Sequence, residues 1–181
     1  MDQQLETKVS VGQSYGRGLG NLTLENAKFF GRPNFSGEED RFKDSRRKFT
    51  VQIPNEAADE LRALGWNVKT TIPQSEEQDP ISHLKVMVDF RFDENHPGDV
   101  AYEKGSDIWV IMGDQREKLT SLTAGILDRS RILTMDMEIR AWNYNASDVL
   151  DGADPEYSAR LVAIVATINP SLLSSKYGIL G

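Results

Sequence analysis

The chain has no cysteine, which excludes disulfides, thiol nucleophiles and thiolate metal sites and suits a reducing compartment. Histidine is almost as scarce. His83 and His96 lie near chain breaks, without the His-x-x-x-His or Glu-rich spacing of a metal site, and read as surface residues. No Gly-x-x-x-x-Gly-Lys loop or nucleophile elbow occurs, so Ser106 and Ser121 have no catalytic frame. The glycines of Gly16-Arg17-Gly18-Leu19-Gly20 lack the preceding strand and the spacing of a dinucleotide loop. Acidic runs at Glu38–Asp40 and Glu76–Asp79 are explained most simply as exposed loops. Long apolar runs are missing too, since no stretch approaches the roughly 18 residues of a membrane helix. The start, Met1-Asp2-Gln3-Gln4-Leu5-Glu6, has neither the basic nor the apolar part of a secretory leader. These absences lead to the expectation of a cytoplasmic, non-catalytic protein with no metal and no cofactor. The sequons at Asn34 and Asn145 then carry no glycosylation.

A basic field over the whole molecule is also lacking: the formal net charge is -7 and the pI about 4.9, which counts against nucleic-acid binding. Local sign differs from the sum. From Arg41 to Lys48 five of eight residues are cationic, while acids gather at Glu76–Asp79, at Asp93 and Glu94, and from Asp148 to Glu156.

With 181 residues, 39% of them hydrophobic, one core is expected. Residues 1–20 are polar and glycine-punctuated and are expected to form a flexible arm. Residues 21–170 then form the domain and 171–181 a tail. Leu22 to Phe29 and Lys48-Phe49-Thr50-Val51-Gln52-Ile53 have strand character, the second with clean alternation. Pro54 at a first turn, Glu56, Asp59 and Glu60 at its negative-tolerant end, Ala57, Leu61 and Leu64 on one face and Gly65 as terminator predict a short helix. Leu84 to Phe92 alternates as a strand. Ile108-Trp109-Val110-Ile111-Met112 reads as a strand buried on both faces, and Leu119 to Leu127 as a second helix. Ile132 to Tyr144 and Tyr157 to Ile168 make a long hairpin across an acidic loop. Six or seven strands with one or two short helices predict a mainly β protein, an elaborated OB-fold built on a small closed or partly closed barrel.

Between Phe29 and Phe49 five aromatic rings are interleaved with cations. Stacked rings and neutralised phosphates are how proteins hold unpaired bases without reading their sequence. Alternation makes Phe49 a core candidate with Val51 and Ile53, whereas Phe35 and Phe42 belong to no alternating apolar set and are expected to be exposed for binding. Arg32, Arg41, Lys43, Arg46, Arg47 and Lys48 complete this candidate loop. A second patch, Ile139-Arg140-Ala141-Trp142-Asn143-Tyr144, puts Arg140, Trp142 and Tyr144 on one face. Either face could point inward, leaving Trp142 open between core and site.

Arg32-Pro33-Asn34-Phe35-Ser36-Gly37, the following Phe42 and Arg47-Lys48-Phe49, Gly65-Trp66-Asn67-Val68-Lys69, and Ile139 to Tyr144 together resemble phage and prophage-encoded OB-fold single-stranded DNA-binding proteins. The resemblance covers roughly residues 22 to 168. It implies a barrel groove that binds single-stranded DNA in phage replication or recombination, with replication or recombination proteins as further partners and the host cytoplasm as location. It also implies that Trp66 and Lys69, with Arg140, Trp142 and Tyr144, border the groove. The chain departs from such proteins at its nearly neutral ending, Ser174-Ser175-Lys176-Tyr177-Gly178-Ile179-Leu180-Gly181, where many carry an acidic recruiting tail; the Asp148–Glu156 loop is a possible electrostatic substitute. The alternative function is a virion structural or assembly protein using the exposed rings as a protein interface.

Overall fold

Strands whose apolar residues alternate with polar ones make up most of the molecule. The computed structural model describes residues 6–13, 19–75, 77–143, 151–152 and 157–169. In chain order these form β1 (Lys8–Val11), β2 (Leu22–Glu25), β3 (Lys48–Ile53), α1 (Asn55–Leu64), β4 (Lys69–Thr71), β5 (Ile81–Met87), β6 (Phe90–Arg91), β7 (Lys104–Gly105), β8 (Asp107–Met112), β9 (Gln115–Leu119), α2 (Ile126–Arg129), β10 (Arg131–Asn143) and β11 (Tyr157–Asn169). Among them no helix is long and apolar enough to cross a membrane.

The main sheet runs β1-β2-β10-β11-β5-β3, with β4 added to β5 and the β8–β9 hairpin added to β11; β6 and β7 form a separate ribbon. The hairpin of β10 and β11 is its spine, pairing Arg131 with Asn169 at one end and Asn143 with Tyr157 at the other. A fork sits on β11, which pairs in parallel with β5 at Ala159 and Arg160 and with β8 from Ala163 to Thr167. The ladders do not close. Isolated bridges from Phe29 to Val51 and from Asn34 to Lys48 span the gap between β3 and the segment following β2. The Ala27 N–H donates to the Met135 carbonyl at 2.8 Å on the other side of that segment. The protein is mainly β, as expected, and its barrel is partly open, the condition of the OB architecture.

Helix α1 starts after Pro54 and stops at Gly65, whose φ of 110° is left-handed and whose absent Cβ leaves room for the Tyr157 ring. Its buried residues are Ala58 and Leu61, while Leu64 is exposed, so the apolar face is rotated from the expected one. Three other expectations need correction. Lys8–Val11 is not free arm but an edge strand paired with β2. In β8 only Ile108 and Val110 are buried, because Trp109 lies on the outer face with the Arg116 guanidinium 5.2 Å from its ring centroid. The expected second helix ends instead as a single turn, α2, since β9 extends to Leu119 and turns occupy Ser121 to Gly125.

The inner faces form one core, in which Phe35 is fully buried. Its ring stacks on Phe49 at 5.3 Å and meets Phe29 at 5.9 Å. Phe35 is therefore not an exposed binding ring. Asn34 explains the inversion: its side chain accepts from Gly37 N–H and donates to the Glu38 and Arg46 carbonyls, curling the loop so that Phe35 turns inward. The Asp128 carboxylate then accepts the Phe35 and Ser36 N–H groups at 2.7 and 3.0 Å. We expect Phe35→Ala to lower the unfolding free energy by about 3–5 kcal/mol, and Phe42→Ala, which truncates an exposed ring, to stay within about 0.5 kcal/mol. Urea denaturation of the two variants separates them; equal effects would contradict the core placement.

Candidate nucleic-acid interface

The outward face of the sheet follows from the inward one. In β3, burial of Phe49, Val51 and Ile53 turns Lys48, Thr50 and Gln52 outward. In β5, burial of Ser82, Leu84 and Val86 turns out His83, Lys85 and Met87. Ile139 is buried in β10, so Arg140 and Trp142 point out, and Trp142 is 48% exposed. That settles the open alternative for Trp142 against the core. Strand register then aligns these residues across four strands: Lys48 opposite Met87, Met87 opposite Arg160, and Arg160 opposite Arg140.

Over this face runs an open groove of about 800 Å³. Arg46, Lys69, Lys85 and Arg160 line it with His83, Trp142 and Met87, and no carboxylate is among its described lining residues. The Arg160 guanidinium lies 4.9 Å from the Trp142 ring centroid, so the indole is held from one side by a cation. At the other end the Phe30 ring stacks on His83 with centroids 4.4 Å apart and 4° between planes. Beyond Arg46, Met87 and Arg160 the surface continues into a second depression that adds Phe90 and the exposed Phe92.

Electrostatics mark the same place. The Lys85 ammonium is pushed below its ordinary value by burial and then by the nearby Lys48 and Arg46 charges. His83 is pushed down by burial and by Lys69, its cross-strand neighbour. Cations thus crowd this face of a protein whose net charge is -7, with the Asp44 carboxylate held between Arg46 and Lys48. Among the described residues no group of three His, Asp or Glu side chains gathers as a metal site needs.

The structure sorts the sequence-derived candidates into three sets. Arg46, Lys69 and Trp142 line the groove, Arg140 adjoins it by register, and Lys48 adjoins it through a depression that shares Thr50 and Lys85. Arg32 lies in that depression too, among Glu38, Glu39 and Asp40. Arg41, Phe42 and Lys43 form an exposed turn in which the Asp40 carboxylate accepts the Phe42 and Asp44 N–H groups and Arg41 covers the Phe42 ring at 4.8 Å. Phe42 is 74% exposed, as expected of it.

Phe35, Trp66 and Arg47 have other placements. Trp66 is only 2% exposed, since the left-handed Gly65 turn folds it back so that its backbone N–H donates to the Leu61 carbonyl and its ring joins the core. Arg47 is a latch: it donates to the Phe35 carbonyl at 2.8 Å and lies 4.8 Å from the Phe90 ring centroid. Burial pushes its guanidinium below the ordinary value. Tyr144 and most of the Asp148–Glu156 loop lie outside the described residues.

Lys85, Arg160, His83 and Phe30 were not among the candidates. The alternation of Leu84-Lys85-Val86-Met87 does turn Lys85 outward, and that of Tyr157 to Leu161 does the same for Arg160. Only the pairing order puts these strands side by side.

No curated protein matches this sequence significantly. Among solved structures, the single-stranded DNA-binding protein from bacteriophage Enc34, with its C-terminus truncated, is similar at a TM-score of 0.46 and 10% identity, covering 91% of this chain and 97% of that one. Residues 11–178 match the family described as "Putative phage ssDNA-binding domain", and the chain belongs to that family of phage single-stranded DNA-binding domains.

Proposed function

We propose that this protein binds single-stranded DNA, largely without regard to sequence and without catalysing a reaction, in the groove across β3, β5, β11 and β10. It would protect the strand and keep it unpaired during phage DNA replication or recombination in the host cytoplasm. The observation that carries the proposal is the carboxylate-free groove lined by Arg46, Lys69, Lys85, Arg160 and an exposed Trp142. Phosphates are matched by these cations and by Arg140, and a base face by the indole, whose second face Arg160 supports. The Arg41–Lys43 turn with its exposed Phe42 supplies an outlying contact. Each stacked base contributes about 1–3 kcal/mol, and one barrel of this type spans roughly 4–16 nucleotides. Counterion release makes the affinity fall with salt at a log–log slope near about -0.7 per phosphate contacted.

Fluorescence anisotropy of a labelled single strand and of its duplex, titrated at several salt concentrations with EDTA, tests this. Salt-sensitive binding of the single strand over the duplex is expected; no binding at low salt would overturn it and favour a protein interface. Trp142→Ala should weaken binding by about 1–3 kcal/mol. Trp142→Phe should largely retain affinity while abolishing any quenching of tryptophan emission by DNA, because Trp66 is buried and Trp109 lies on β8, outside the groove residues. Lys85→Ala should reduce the magnitude of the salt slope by about 0.7, an effect absent if Lys85 faces no phosphate.

A further inference from the structure

Two of the cations bordering the groove are not free. The Arg46 guanidinium grips Asp44 with two nitrogens, Nε to Oδ1 at 3.0 Å and Nη2 to Oδ2 at 2.9 Å. The Lys48 ammonium meets the same Oδ2 at 2.5 Å. A planar guanidinium fork closed on two oxygens, with a lysine alongside, is also how proteins grip a phosphate. The Asp44 side chain is 19% exposed, and its two partners hold its carboxyl far below the usual carboxylate range. By contrast, among the described residues no carboxylate lies within ion-pair distance of Lys69, Lys85, Arg140 or Arg160. The Asp44 charge also reaches the groove itself, where it offsets the crowding of Lys85 by Lys48 and Arg46.

We propose that Asp44 is a built-in phosphate stand-in, occupying Arg46 and Lys48 until a nucleic-acid phosphate displaces it, and so setting the affinity and salt sensitivity of the groove. The inference rests on the function proposed above. Strand binding at this end is then an exchange of one anion for another, while at Lys69, Lys85 and Arg160 it is a net gain of ion pairs. Since exposed ion pairs contribute at most about 1 kcal/mol, the exchange tunes the affinity and does not abolish it.

Asp44→Asn is the informative variant. The amide keeps the Oδ1 acceptor for the Arg46 N–H, 3.0 Å away, and with it the turn. Binding of single-stranded DNA should tighten about 2–5-fold at moderate salt, with a salt slope steeper by about 0.7. Glu39→Gln, which removes an equal charge beside the groove, should do clearly less. In a Lys48→Met background the gain from Asp44→Asn should shrink, because one of the released cations is gone. If the wild type binds and Asp44→Asn leaves affinity unchanged or lowers it, Asp44 merely positions Arg46 and the inference is overturned alone. A gain matched by Glu39→Gln overturns it as well, as a general charge effect. A wild type that binds no single strand overturns both this inference and the function on which it rests.

Discussion

The interface depends on where Phe35 goes. Its ring closes the aromatic cluster with Phe29 and Phe49 at the edge where the strand ladders leave the barrel open. Asp128, on the short turn before β10, holds the Phe35 and Ser36 N–H groups, and Arg47 holds the Phe35 carbonyl. A turn 93 residues along the chain and a side chain 12 residues along are thereby tied to one residue. The consequence for the surface is direct. With the loop anchored at Phe35 and again at Lys48, paired to Asn34, the intervening Arg46 is delivered to the groove and Arg41 to Lys43 are left projecting.

The second constraint is charge placement. An acidic protein presents a cationic face only if its acids are kept off that face, and strand alternation does this here. On β3, β5 and β11 the outward positions nearest the groove carry Lys48, Lys85 and Arg160, while apolar residues fill the inward ones. The acids of β10, Asp136 and Glu138, pair instead with Asn26 and Asn21 beyond the groove. Of the acids that do lie near the groove, Asp44 is engaged by two cations at once. Net charge is therefore a poor guide to binding in a protein this small, since the field at the groove is set by the nearest few side chains within a Debye length.

Much of the fold was legible because its signals are local. Period-two alternation marks β3, β5, β10 and β11, and Pro54 and Gly65 bracket α1 as their backbone preferences require. The site was legible only in part. Arg46 could be chosen from the run of cations, Arg140 and Trp142 from alternation and Lys69 from the family resemblance, but Phe35 looks like a binding ring because it belongs to no alternating apolar set, and Trp66 is put at the groove by the resemblance alone. Their burial arises from tertiary features, a loop curled by the Asn34 side chain and a left-handed Gly65, which hydrophobic periodicity does not register. Lys85 and Arg160 escaped notice for the opposite reason: each sits in an ordinary alternating strand, and only the contact of β11 with β5 brings them to one groove.

The chemistry of the groove also bears on which polynucleotide suits it. Lysines and arginines alone would serve a duplex as well as a single strand, because both present phosphates. Trp142, Met87 and the Phe30–His83 pair lie between and beside those cations on the same face, and in a polynucleotide such surfaces find a partner only where a base face is uncovered. A duplex hides those faces in its own stack, so it could use the cations while leaving the half-exposed indole in water. If the proposed function holds, discrimination between the two forms falls to the aromatic component and affinity to the cationic one. Since Arg160 both lines the groove and supports the indole, it belongs to both components.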